Sequence, residues 1–195
     1  MRLSFFILIL IPTVGVCQAT LGIKAGLNIS DIVMTNYINP DVESDLGLKL
    51  GLHAGVFLSG DITESLGLSG ELLYSDKGVN GGSNVHLHYI TLPLMIEYRL
   101  TDHISAELGP EPGYLFSATS RYGNAANTYS NKLDLALDGG FRLDTHKMVF
   151  GIRYCVGLLS VREPVEVVGP SGPEKIKYQN RVLQLSMGYK LAAVK

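Results

Sequence analysis

The stretch Leu46-Gly47-Leu48-Lys49-Leu50-Gly51-Leu52-His53-Ala54-Gly55-Val56-Phe57-Leu58-Ser59 decides the fold. Its even positions, Leu46 to Leu58, are all apolar, while its odd positions hold Gly47, Lys49, Gly51, His53, Gly55, Phe57 and Ser59. A helix turns by about 100° per residue and would set i and i+2 on different sides. So long a run of period two is therefore a strand with two unlike faces.

The same period recurs on both sides of this stretch. Before it, Leu21, Ile23, Ala25, Leu27 and Ile29 alternate with Gly22, Lys24, Gly26, Asn28 and Ser30. After it come six more runs of the same kind, carried by Leu66–Tyr74, Ile90–Leu100, Ile104–Phe116, Leu133–Leu143, Met148–Leu158 and Leu183–Leu191. Short polar turns at Gly60–Ser65, Thr101–His103 and Asp144–Lys147 alternate with longer segments at Asp31–Asp45, Asp76–Asn84, Ser117–Asn131 and Val161–Gln179. Alternation of short and long connections, with strands long enough for a tilted crossing, is the pattern of a membrane barrel with short periplasmic turns and longer extracellular loops. The sequence thus predicts an all-β, eight-stranded antiparallel up-and-down transmembrane β-barrel over residues 20–195. Pro93, Pro110 and Pro112 remove ladder donors and predict bulges or bends.

Composition agrees. Only 17% of residues are charged although 46% are hydrophobic, against about 25% charged in average chains. A formal charge of −2 gives no nucleic-acid footprint. A soluble lipocalin-type barrel is the rival, with its apolar face inward. Its water-facing side would carry Lys, Glu and Thr, whereas here the polar face repeatedly carries glycine, which lets a narrow barrel close around larger side chains.

Residues 1–19 read as a signal peptide: Arg2, then the apolar Leu3–Val16, then Cys17-Gln18-Ala19 with small residues for cleavage after Ala19. Cys17 would be the lipid-bearing residue of a lipoprotein, but Val16 stands where that processing wants a small side chain. Removal of residues 1–19 leaves Cys155 alone, hence no internal disulfide.

If the apolar face meets lipid, the other face lines a lumen holding Glu71, Glu97, Glu107, Glu111, Asp134 and Asp138 with Lys24, Lys49, Arg99, Arg142, Arg153 and Lys190. An eight-stranded barrel is just wide enough to be filled by side chains. Acids and bases in equal number predict a hydrogen-bonded network, because unpaired buried charge is costly. A plugged barrel is the expectation. His103 and Ser105 share a face, but at a periplasmic turn rather than at the outer leaflet, so no esterase is expected. His86 and His88 also share a face, yet two imidazoles without a third ligand do not make a metal site. Cys155 reads as a packing residue. No enzymatic activity, cofactor or metal is expected.

Several blocks resemble a known family. Gly22-Ile23-Lys24-Ala25-Gly26-Leu27-Asn28-Ile29-Ser30, Tyr89-Ile90-Thr91-Leu92-Pro93-Leu94 and Leu108-Gly109-Pro110-Glu111-Pro112-Gly113-Tyr114 are similar to porin-family, PorT-type outer-membrane barrels common in Bacteroidetes. So are Arg153-Tyr154-Cys155-Val156-Gly157-Leu158 and Val182-Leu183-Gln184-Leu185-Ser186-Met187-Gly188-Tyr189-Lys190. The resemblance implies residence in the outer membrane of a Gram-negative bacterium, contact with its lipid, and insertion by the barrel-assembly machinery. It implies no activity, although the founding type is linked to protein secretion. Two features depart from the pattern: residues Leu191–Lys195 follow Tyr189, the last aromatic, and Trp is absent, so Tyr and Phe must form any aromatic girdle.

The leading functional expectation is a monomeric structural or surface-interaction protein working through its extracellular loops, the last of which carries Glu163-Pro164 and Gly169-Pro170-Ser171-Gly172-Pro173. A narrow channel for small solutes and an accessory protein of a secretion apparatus are the alternatives.

Overall fold

The computed structural model describes residues 19–36, 43–45, 47–81, 84–125, 127–163, 165–169 and 172–194. The expected signal peptide, apart from Ala19, lies outside the described residues, as does Cys17. Among the described residues every regular element is a strand: β1 Ala19–Asn36, β2 Glu43–Asp45, β3 Lys49–Asp61, β4 Leu66–Val79, β5 Val85–Thr91, β6 Leu94–Arg99, β7 Ile104–Ser120, β8 Gly123–Asn124, β9 Leu133–Asp144, β10 Met148–Gly157, β11 Val165–Gly169 and β12 Gly172–Val194.

The long strands pair antiparallel in the order β12–β10–β9–β7–β5–β4–β3–β1, and β1 pairs again with β12, from Ala19↔Val194 to Asn36↔Ile176. The sheet therefore closes on itself, with β6 taking the place of β5 between β4 and β7 at one end. Along β3, Leu50 is 73% exposed while its neighbour Lys49 is 5% exposed, and the contrast repeats on the other strands. A water-soluble sheet buries its apolar face. This ring does the reverse, with leucines outside and charges within.

Each short turn is built on a threonine. In Thr63-Glu64-Ser65-Leu66, Thr101-Asp102-His103-Ile104 and Thr145-His146-Lys147-Met148, the threonine N–H donates to the carbonyl three residues on, at 3.0, 3.1 and 2.8 Å. The N–H of that later residue donates to the threonine Oγ1, at 3.0, 3.1 and 3.0 Å. A hydroxyl that accepts from a nearby backbone N–H closes such a turn without needing a left-handed residue.

The expected long loops are shorter than the sequence suggests. β1 runs on to Asn36, β4 to Val79 and β7 to Ser120, and β12 begins at Gly172. The small strands β2, β8 and β11 pair with the ends of β1, β7 and β12, so the ladder continues beyond the ring as short ribbons of two or three strands.

The prolines also act differently from expectation. Pro93 interrupts the expected fourth strand, which becomes β5 and β6, but no residue is inserted: Thr91↔Gly113 and Ile96↔Leu108 keep one register across the gap. Pro110 and Pro112 sit within β7, whose register with β9 is unbroken from Ile104↔Leu143 to Tyr114↔Leu133. Leu92 N–H donates to the Pro112 carbonyl at 2.8 Å, and Glu71 N–H to the Pro93 carbonyl at 2.9 Å. An N–H and C=O of one strand residue point the same way, so the missing donors of β7 face the Leu92–Pro93 gap rather than β9. The register shifts lie instead at Phe116, skipped between His88↔Ser117 and Tyr89↔Leu115, and at Leu191, skipped between Leu21↔Ala192 and Gly22↔Lys190.

Candidate functional site

The interior of the ring is the candidate site, and it is built in three levels. At the short-turn end, Arg142 on β9 spreads its guanidinium among Glu97 Oε1 (2.8 Å from Nη1), Asp144 Oδ2 (2.7 Å from Nε) and Ser59 Oγ (3.4 Å from Nη2), with its plane 5.5 Å from the Phe57 ring. Lys190 Nζ holds the other oxygen of Asp144 at 2.8 Å. A cavity of about 330 Å³ opens at this end, with Asp61, Glu97, Arg99, Arg142, Asp144 and Lys190 in its lining.

At mid-height, Arg153 on β10 bridges two acids. Its Nη2 lies 2.9 Å from Glu71 Oε1, and its Nε lies 2.9 Å from Glu107 Oε1. Lys24 completes Glu71 from β1, with Nζ 2.8 and 3.0 Å from the two oxygens. Next to this group, Lys77 Nζ lies 2.6 Å from Glu111 Oε1, 3.9 Å from Asp134 Oδ2 and 5.3 Å from the Tyr89 ring centroid. Asn180 Nδ2 donates to Asp134 at 2.8 Å, and His53 Nδ1 meets Asn28 Oδ1 at 2.8 Å. Charge-assisted bonds of this kind, removed from water, hold opposite walls of the ring together.

Toward the long-connection end the inward positions turn apolar. Ile32, Val85, Leu87 and Leu115 from the strands pack with Tyr129 and Val161 from the connections, all buried, in one hydrophobic cluster. The lumen is closed by ions at its middle and by hydrocarbon above them.

Of the expected interior charges, Lys24, Glu71, Glu97, Glu107, Glu111, Asp134, Asp138, Arg142 and Arg153 are brought together inside. Lys49 pairs with Asp76 at 2.7 Å toward the long-connection end, and Lys190 sits near the short-turn rim. Arg99 is the correction. It has the inward parity of Glu97, but β6 ends there, and its guanidinium reaches the exposed Asp61 (2.8 Å) and the Glu64 carbonyl (2.7 Å) at the rim. Lys77 is the omission: ending the third strand at Ser75 assigns it to a loop. The signal was available, because Ser75, Lys77 and Val79 extend the inward period up to the turn residues Asn80-Gly81. His86 and His88 stack at 6.0 Å, and their Nδ1 atoms lie 3.1 and 3.8 Å from Asp76, with the Tyr74 hydroxyl 2.8 Å from His88. This cluster faces outward, and ring packing and ion pairing account for it.

The sequence profile of the outer membrane protein beta-barrel domain matches residues 18–163 of this chain. No curated protein matches it. Among solved structures it is similar to Neisserial surface protein A, NspA, at 10% identity and a TM-score of 0.50, covering 87% of this chain and 97% of that one. It is also similar to Ail, the attachment invasion locus protein of Yersinia pestis, in complex with the heparin analogue sucrose octasulfate (14% identity, TM-score 0.49, 89% and 99% covered). The outer membrane protein OprG of Pseudomonas aeruginosa is similar at 14% identity and a TM-score of 0.42, with 91% and 98% covered. With the profile spanning most of the chain, and the ring inverted as a lipid-facing wall must be, the protein belongs to the outer membrane protein β-barrel domain family and resides in the outer membrane of a Gram-negative bacterium.

Proposed function

We propose that this chain is an eight-stranded up-and-down transmembrane β-barrel serving as a closed anchor, which displays its long-connection end outside the cell for surface interaction. The observation that carries this reading is the double closure of the lumen. A solute would have to break the Arg153 bridges to Glu71 and Glu107 and then cross the layer of Ile32, Leu87 and Leu115. A fixed ionic network in so narrow a barrel fills it rather than lining a path. Recording from the purified protein in planar bilayers should give a flat baseline. Reproducible unitary steps would overturn the anchor in favour of the narrow channel, whose one supporting feature is the cavity that meets Arg142 at the short-turn end.

Display outside the cell rests on the ribbons formed by β2, β8 and β11, which stand beyond the ring at one end only. Arg121 and Tyr122 lie in the exposed turn between β7 and β8, Tyr122 at 82% exposure. Trypsin added to intact cells is expected to cut after Arg121 while the short turns survive. Cleavage confined to permeabilised cells would mean the opposite orientation.

The narrower reading follows from the blocks of sequence named above: a PorT-type, porin-family barrel of Bacteroidetes type. It would be exported through residues 1–19, inserted by the barrel-assembly machinery, monomeric, and without enzymatic activity. A role beside a secretion apparatus rests on that resemblance alone and would surface as co-purification with such a complex.

A further inference from the structure

The buried charges do not balance. Among the described residues the buried set holds six acids, Asp31, Glu71, Glu107, Glu111, Asp134 and Asp138, against four bases, Lys49, Lys77, Arg142 and Arg153. Lys24 and Glu97, slightly more open, add one of each sign. Following the pairs locates the surplus. Glu71 and Glu107 share Arg153, Glu111 has Lys77, and Asp134 has Asn180. Asp31 accepts from the N–H groups of Ile32 and Gly47 at 2.7 and 3.1 Å. Asp138 is left over: its side chain is 0% exposed, its nearest base is Arg153 at 4.0 Å, and no N–H or O–H group donates to either of its oxygens.

Two neighbours stand beside it. Glu111 spends Oε1 on Lys77, while its buried Oε2 has no partner. Cys155, also buried, stands directly across the ladder from Asp138. Asp138 in turn stands opposite Gly109, so Glu111 occupies the next inward position of β7. One oxygen of Glu111, one of Asp138 and the Cys155 Sγ all lie within 4.8 Å of one another. Three adjacent strands thus bring a Glu111 oxygen, an Asp138 oxygen that no N–H or O–H reaches, and a thiol to one buried point, where an isolated negative charge is costly.

The geometry points to a divalent-cation site formed by Glu111, Asp138 and Cys155. The donor set gives the class. Magnesium and calcium take oxygen ligands, whereas a mixed thiolate and carboxylate set suits a zinc-type ion. Tetrahedral zinc, with bonds of about 2.0–2.3 Å, separates its ligand atoms by about 3.5 Å. The three atoms need approach by only about an ångström, which rotation of Glu111 and Asp138 supplies while the strands stay in register. Loading displaces the thiol proton to solvent, so the ion's two charges balance the new Cys155 thiolate and the carboxylate of Asp138.

The test uses Co²⁺ alone as the probe, supplied while the full chain refolds in detergent because the site is buried. The folded protein should acquire a thiolate-to-cobalt charge-transfer absorption, at one ion per chain, that Zn²⁺ abolishes. Cys155→Ser should remove the band, and Asp138→Asn should weaken cobalt binding by about tenfold or more. Retained fast mobility of unboiled samples on gels shows that each variant has folded. Binding should also raise the urea midpoint of the parent protein and not that of Cys155→Ser. The proposal is overturned if the folded parent shows no such band, or if the band survives Cys155→Ser. It is equally overturned if Asp138→Asn stabilises the chain while cobalt has no effect on the parent, since a proton would then balance the carboxylate.

Discussion

Replacing Arg153 by methionine is expected to destabilise the folded protein by about 3–5 kcal/mol, the usual cost of removing one partner from a buried ion pair. Arg153 is the centre of the mid-height group, 2% exposed and bonded to both Glu71 and Glu107. Methionine fills much of the space but supplies no donor. Glu71 keeps Lys24, whereas Glu107 loses the cation it is bonded to. The cost should therefore come mainly from Glu107, and Glu107→Gln in the same chain should restore part of it, because a neutral pair of similar volume no longer strands a charge. Urea unfolding in phosphocholine vesicles, read by gel mobility of unboiled samples, measures both variants. A loss below about 1 kcal/mol for the single variant would mean that water reaches Glu107 and that the interior is not dry.

The second large effect is steric. Gly109→Val is expected to leave little closed barrel, at a cost of about 3 kcal/mol or more, the upper end for forced overpacking. A Cβ at Gly109 would overlap the carbonyl oxygen of Leu94 and stand 2.9 Å from its carbon and 3.0 Å from Met95 Cα. All three are backbone atoms, so no rotamer can yield, and relief requires parting β6 from β7 beside a gap where prolines have already removed donors. Gly139 is the control. It faces outward, where a Cβ meets only Leu108 Cδ1 at 3.6 Å. Gly139→Val should keep the fast-migrating folded band that Gly109→Val loses. Equal behaviour of the two would show that the close approach at Gly109 is not a constraint on closure.

How much was legible in the sequence depended on whether polarity and parity agreed. Along Leu46–Ser59 they agree at nearly every position, and the ring with its outer face follows directly. The Arg153 group was legible for the same reason, since Glu71, Glu107 and Arg153 are charges at inward positions of long alternating runs. Polarity fails where the interior itself is apolar. Ile32, Val85, Leu87 and Leu115 are all buried, and a rule that sends hydrocarbon outward has no means of finding the cap they help to build. Parity fails at strand ends, where Arg99 bends to the rim and Lys77 is cut off by a turn placed too early. The pairing of Asp138 with Cys155 needed register between strands, which no single run of residues contains.

The three threonine turns have a consequence for how the ring is reached. Each joins its two strands within a few residues, so β3–β4, β6–β7 and β9–β10 can zip as local hairpins at small loop-closure entropy. The pairing of Ala19 with Val194 is of another kind, since it must wait for nearly the whole chain. Contacts of such sequence separation are the slow ones in folding. Assembly should therefore pass through an open sheet of finished hairpins, with β1 and β12 as its two raw edges. The joining of those edges sets the rate, and until then both remain able to pair with any other strand they meet.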